Sequence, residues 1–426
     1  MKQKKRVEWT KLDNASKIFP ATANFQDTKV FRLSCELYED VDPEILQKAL
    51  DATLEKFPLY RSVLRRGVFW YYFENSDMKP QVKMESNPVC APIYFKELRN
   101  LLFRVFYFNK RISIEVFHAL SDGTGALWFL QTLVASYLLM KYEEKFNGKA
   151  PELAYNASIS EKTEDSFEKY YTGGHAFKLL NKSGEGKRSK KSYHVKGARV
   201  DENRLKVIEG SMSAEDVLKE AHRYNTTLTV FLTALFIYSI YKQIPAHSRD
   251  CAVVMSVPIN LRQYFKSVTA RNFFSTMRIS CHFDENNVNF EDIIQSVNES
   301  FHKELTRDRM EDYLNRYISL EKNPFTRIVP LPLKELSLRI ANYFNNKDLT
   351  ASISNLGRIY MPDDFSSYIR QFSVFTSAVR PQITMCTYKD RLVVGFNSPY
   401  LETDIQRTFF SFLAERGIEI EISSNL

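Results

Sequence analysis

Apolar positions along this chain follow two rhythms, and the switching between them is the first guide to its fold. Val30–Leu37 alternates with the period of a strand. Asp42-Pro43 then opens a run in which Ile45, Leu46, Leu50, Leu54 and Phe57 recur at helical spacing, and Pro58 stops it. Leu59–Arg65 and Val68–Phe73 read as strands about an Arg66-Gly67 turn. Leu101–Phe108 and Arg111–Phe117 read as a hairpin, because Asn109-Lys110 between them has hairpin length. A long amphipathic helix is expected from about Ala126 to Tyr142, with Leu127, Leu130, Leu133, Val134 and Tyr137 on its buried stripe.

Between 156 and 200 the rhythm stops. Ser, Lys, Glu and Gly dominate, and this stretch reads as a polar, mobile crossover. The same alternation then restarts. Ser213–Tyr224 is a helix opened by Ser213 with Asp216 three residues on, and Thr227–Tyr241 is a more buried helix. Cys251–Pro258 is a buried strand and Phe290–Glu304 a helix. Leu349–Ile353, Gln371–Val379, Gln382–Tyr388 and Arg391–Asn397 are strands, and Thr403–Arg416 closes the chain as a helix. Strand and helix alternate in both halves, so the expected class is α/β, with mixed sheets flanked by helices. A length of 426 residues exceeds one ordinary core. The division expected is 1–155, a crossover at 156–200, and 201–426.

Composition changes this picture little. The net charge of +8 admits nucleic acid, a membrane surface or an anionic small molecule as partner. The basic residues gather at Met1–Arg6 and Lys182–Lys196 without an aromatic platform, so nucleic acid is not expected. The five cysteines include no C-x-x-C pair, which argues against a zinc site or a disulfide framework and for reduced thiols in the cytoplasm. MKQKKRVEWTKL has no apolar core of a signal peptide. Leu228–Tyr241, the most apolar long stretch, is shorter than the roughly 20 residues of a membrane span, so no transmembrane segment is expected.

The chemistry concentrates in Ser113-Ile-Glu-Val-Phe-His118-Ala-Leu-Ser-Asp122-Gly123-Thr-Gly125. Ile112, Ile114, Val116 and His118 share one face of a strand. An imidazole at the end of a buried strand is desolvated and held, which suits a general base. Asp122 suits an anchor that fixes the following loop through an arginine, and Gly123 and Gly125 permit a sharp strand-to-helix turn. Taken alone, the run also fits a satisfied core histidine followed by a helix cap. No second His or Cys stands at ligand spacing, so no metal is expected.

FHALSDG, with its preceding strand and following helix, resembles the H-x-x-x-D-G signature of the chloramphenicol acetyltransferase-like and condensation-domain acyltransferases. LQKALDATLEKFPLYRSVL, TTLTVFLTALFIYSIY, VMSVPINLRQYF with RNFFST, and SISNLGRI resemble further family segments in the same order. The likeness spans nearly the whole chain and is nearest to bacterial alcohol acetyltransferase-like proteins. Phe117 stands where condensation domains carry a first histidine, and the D-F-G-W-G motif of BAHD acyltransferases is absent.

The resemblance implies two lobes with an active-site tunnel between them. It implies transfer of an acyl group from acyl-CoA, or an acyl carrier, to a small alcohol or amine, with acyl-CoA as co-substrate and no bound cofactor. His118 would be the base, and Asp122 would pair with Arg61, with Arg104 as rival partner. Ser354 and Asn355 would face the tetrahedral intermediate, with Asn272 behind them. A carrier-dependent condensation enzyme and a non-catalytic binding module are the alternatives on the same fold.

Overall fold

The strand Arg111–Phe117 is buried along almost its whole length because it lies in the middle of a sheet. In the computed structural model, which describes residues 9–146, 151–155, 157–173, 191–283 and 288–425, that sheet has five strands. Their order is Ile369–Thr376, Val30–Leu37, Arg111–Phe117, Phe103–Phe108 and Lys83–Met84. The expected hairpin about Asn109-Lys110 is present, and Asn109 takes the left-handed conformation with φ 48°. Asparagine tolerates that region better than most residues.

The helices Pro43–Lys56 and Gly123–Lys141 pack on each other and cover this sheet. Asp42 caps the first, accepting from the amides of Glu44 and Ile45. The second begins earlier than Ala126 because Asp122 caps it. It is apolar all round rather than amphipathic: Leu127, Phe129, Leu130, Leu133 and Val134 are all buried, on several sides. By length and composition alone it could cross a bilayer, but two thirds of it is buried inside the protein, the property of a core helix.

The second half builds a seven-stranded mixed sheet. Its order is Phe274–Cys281, Val253–Asn260, Ala351–Ile359, Gln382–Tyr388, Arg391–Ser398, Lys206–Ser213 and Ile420–Ser424. Ala351–Ile359 runs parallel to both its neighbours, and the other pairs are antiparallel. The helices Leu228–Tyr241, Phe290–Glu304 and Asp404–Ala414 form a second core against it, with Phe236, Phe396, Phe409 and Phe410 in edge-on contact.

Two expectations need amendment. The division at 201 does not hold for every strand: Ile369–Thr376 lies in the first sheet, paired antiparallel with Val30–Leu37. It fits there because its ring faces reach both sheets. Phe372 stacks edge-on with Tyr388 of the second sheet, and Gly395 leaves room for Phe375, whose ring lies 2.8 Å from where a β-carbon would sit. The crossover is also better anchored than its polarity suggests. Residues 156 and 174–190 lie outside the described residues, but Ile159–Thr163 and Ser166–Lys169 are short helices, and Phe167 is buried in the second core.

Phe372→Ala should lower stability by about 3–5 kcal/mol, the usual loss for a buried aromatic. Because the strand ties the two sheets together, denaturant melts followed by far-ultraviolet circular dichroism and by tryptophan fluorescence should move together. Separate transitions for the two signals would show that the strand does not couple them.

Candidate active site

His118 follows directly on the central strand, and its backbone amide donates to Lys29 O (2.8 Å). Three rings wall the imidazole. Phe19 stacks on it at 4.3 Å between centroids, Phe31 meets it edge-on at 5.0 Å, and Phe274 lies tilted at 5.4 Å. Phe274 comes from the second half of the chain, so the histidine stands where the two halves meet. The residue as a whole is only partly buried. Its packed surroundings disfavour the charged form, and this burial is the main reason its pKa falls below the ordinary imidazole value.

Asn272 sets the tautomer. Its side-chain nitrogen donates to His118 O (3.0 Å) and to Ser16 Oγ (2.9 Å). Its oxygen is thereby left to face His118 Nδ1 at 3.0 Å, where it can only accept. The proton therefore sits on Nδ1, and Nε2 carries the lone pair. Asn272, expected behind the reacting centre, lies against the imidazole and orients it.

Asp122 does not pair with Arg61. Arg61 is exposed at the end of a short 3-10 turn, Pro58–Arg61. Arg104 is taken by the buried Glu115 of the adjacent strand, with Nε to Oε2 at 2.6 Å. The partner is Arg262, which grips Asp122 with both terminal nitrogens (2.7 and 3.2 Å), and both side chains are nearly inaccessible. The amides of Gly125 (2.9 Å) and Phe273 (2.8 Å) complete the carboxylate's shell. Arg262 also donates to the carbonyls of Thr269 and Arg271, so it gathers the loop that carries Asn272 and Phe274. Arg262 lies within the family-like segment VMSVPINLRQYF, but nothing in its spacing names its partner.

The glycines serve closeness rather than backbone twist. Neither Gly123 nor Gly125 has a positive φ. A β-carbon on Gly125 would sit 2.1 Å from Ala270 O and 2.4 Å from Ser121 Oγ. Ser121 Oγ itself donates to Ala270 O (2.6 Å), so the start of the helix touches the loop of the other half with no room for a methyl group. A β-carbon on Gly123 would meet Leu356 Cδ1 at 3.0 Å, which brings the strand Ala351–Ile359 beside the motif.

Ser354 and Asn355 stand on that strand, at a register shift between Asn355 and Arg358. Ser354 is half-buried, while Asn355 is exposed and engaged with Thr229 Oγ1 (2.9 Å) and the amide of Gly357 (2.8 Å). Trp128, on the helix that Asp122 caps, stacks on Tyr155 at 3.8 Å with the Arg262 guanidinium over its ring. Among the described residues no three His, Cys, Asp or Glu side chains converge as a metal cage requires. Two cavities among the described residues lie away from His118. A polar groove of about 860 Å³ runs past Arg370, Arg391 and Glu421, and a smaller one of about 120 Å³ lies between Pro88–Pro92 and Glu202–Leu205.

The family model described as alcohol acetyltransferase matches residues 108–371, which span the motif, Arg262, Asn272 and Ser354. No curated protein matches by sequence. Among solved structures, TRI101 of F. graminearum, complexed with Coenzyme A and T-2 mycotoxin, is similar with a TM-score of 0.65 at 10% identity, covering 97% of this chain and 99% of that one. The first condensation domain of the calcium-dependent antibiotic synthetase gives 0.63 at 14% identity, covering 97% and 99%. Polyketide synthase associated protein 5 from Mycobacterium tuberculosis gives 0.62 at 12% identity, covering 95% and 96%. These likenesses show the fold: two α/β lobes of the chloramphenicol acetyltransferase-like type.

Removing either partner of the Asp122–Arg262 pair leaves a buried charge unpaired, so Asp122→Ala and Arg262→Ala should each cost about 3–5 kcal/mol. The double variant should lose less than the sum of the two. Arg61→Ala should leave the denaturant midpoint where it was. Equal losses from Arg61→Ala and Arg262→Ala would refute the assignment of the partner.

Proposed function

The chain belongs to the alcohol acetyltransferase family, and on that footing we propose that His118 Nε2 is the general base that activates an acceptor hydroxyl toward an acyl-CoA thioester. The observation that carries the proposal is the Asn272–His118 pair, which leaves Nε2 unprotonated and facing away from the amide that orients the ring. Nε2 takes the hydroxyl proton as the oxygen bonds to the thioester carbonyl carbon. The tetrahedral intermediate then collapses, the carbon–sulfur bond breaks, and the leaving thiolate of CoA takes the proton back from Nε2. Ester and free thiol leave, and the imidazole is neutral again.

A neutral amide behind the imidazole has a consequence that a carboxylate would not. It holds the ring without stabilising the imidazolium by charge, so the base stays deprotonated at lower pH. Asp122, four residues away, has its oxygens occupied by Arg262, Gly125 and Phe273, which supports a structural role rather than a relay. Ser354 is our candidate donor to the oxyanion, since the strand that carries it passes the motif glycine. Such a donor supplies about 2.7–4 kcal/mol in comparable sites.

Donor and acceptor would enter a tunnel between the lobes from opposite mouths, with His118 near its middle. CoA as donor is supported by the similar fold of TRI101, which holds Coenzyme A, and the acceptor class by the family's description. A carrier-bound donor is less favoured, because Phe117 occupies the place of the first histidine of condensation domains. A reducing, cytoplasmic setting is part of the proposal and is supported by five unpaired cysteines.

His118→Ala should lower turnover by about 10²–10⁴-fold in a thiol-release assay with acetyl-CoA and a panel of alcohols. Wild-type turnover in that variant would end the proposal. The acid limb of kcat/KM should lie below the free imidazole value of about 6.5. Asn272→Asp places a carboxylate on Nδ1–H, raises the imidazole pKa and should move that limb to higher pH. An unmoved limb in Asn272→Asp would show that Asn272 does not set the protonation of the base.

A further inference from the structure

The helix Leu331–Lys347 is mounted with its polar side inward. Glu335 is buried beneath it and paired with Arg66 (3.0 Å), Lys96 (3.4 Å) and the hydroxyl of Tyr71. Asn342 and Asn346, on the same side, are partly buried and bonded to each other. The opposite side carries Leu333, Leu336, Ile340, Tyr343 and Phe344, at intervals of three and four residues. All five are exposed, Tyr343 by 64% and Phe344 by 61%. A water-facing helix normally shows the reverse arrangement.

The apolar band continues beyond the helix. Ile328, 70% exposed, precedes it. At its start the amide of Leu331 donates to Val68 O (2.8 Å), and Lys334 Nζ donates to Phe69 O (3.1 Å). The exposed side chains of Val68 and Phe69 therefore stand beside the helix at the tip of the Gly67–Trp70 turn. Contiguous exposed apolar surface of this kind marks an interaction site.

Charge selects the occupant. Arg327 and Lys347 flank the band and are exposed, while Arg339 is turned to Glu335 and Ala21 O. Within 324–348 the acids are Glu335, buried and paired, and Asp348 at the C-terminal cap. A second copy docked by a two-fold axis would set this basic rim against itself. A surface of anionic lipid headgroups complements it, while the band enters the acyl boundary and Tyr343 and Phe344 match the aromatic preference of that depth.

We propose that the outward face of Leu331–Lys347, with Val68 and Phe69, is a docking surface for an anionic lipid bilayer. The helix packs on the short helix Ile18–Thr22, and Arg339 Nε donates to Ala21 O (2.8 Å). That short helix carries Phe19, the ring stacked on His118. Docking would thus bring the bilayer alongside the element that walls the imidazole, and apolar acceptors or products could pass without crossing water. The docking surface itself does not depend on the proposed chemistry.

The test is flotation of the purified full-length chain with vesicles of phosphatidylcholine alone or with added phosphatidylglycerol. The wild type should float with the phosphatidylglycerol vesicles and lose binding as salt rises. The combined variant Leu336→Ser, Ile340→Ser and Phe344→Ser should bind roughly tenfold less or weaker still, with its thermal melt unchanged, since the replaced side chains are exposed. If that variant melts early, Arg327→Glu with Lys347→Glu should abolish the preference for anionic vesicles on an intact apolar face. Failure of the wild type to float, equal flotation of the variants, or a dimer dissolved by the serine variant without vesicle binding would overturn the proposal. Loss of acyl transfer in His118→Ala should leave flotation unchanged, so the two readings fail separately.

Discussion

The ion pair between Asp122 and Arg262 holds the site together. It joins the cap of the first lobe's central helix to the loop after the second lobe's strand Val253–Asn260. Every other feature of the site leans on that junction. Arg262 fixes the carbonyls of the 269–273 loop, the loop presents Asn272 and Phe274, and these orient and wall His118. The pair is buried, so its value lies in geometry more than in net stability, because desolvation offsets much of the attraction. The close packing of Gly125 against Ala270 enforces the same approach by sterics.

The electrostatics of His118 follow from what surrounds it rather than from what charges it. Burial among three aromatic rings lowers its pKa, and the side chain that meets the ring, Asn272, is neutral. The sign of the linkage is fixed by that lowering. Between the depressed folded value and about 6.5 the unfolded chain binds more protons than the folded one, so stability rises with pH through that window. An imidazole kept neutral by its walls is therefore also a place where acid loosens the fold.

The elements with strong periodicity were legible in the sequence: Val30–Leu37, the hairpin about Asn109, and the buried helix Leu228–Tyr241 all stand where the pattern puts them. His118 and Asp122 were legible through short-range spacing. Their partners were not, because spacing within a segment carries no information about a contact across 140 residues, the separation of Asp122 from Arg262. Phe19 sits in a helix of five residues, too short for a period to show. The strand Ile369–Thr376 was legible as a strand, but its sheet was not, since the pattern within a strand does not say which neighbours it pairs with. Leu331–Lys347 shows how periodicity can mislead: its apolar stripe would assign the inward face to the side that faces solvent.

The placement of Ile369–Thr376 also sets an order on synthesis. Val30–Leu37 leaves the ribosome long before Ile369–Thr376, the neighbour more than three hundred residues away with which it pairs. Until that neighbour arrives, the first sheet presents an open hydrogen-bonding edge to the crowded cell. The nascent first lobe is thus a species that needs shielding, and the last part of the chain acts as the clasp that ends its exposure.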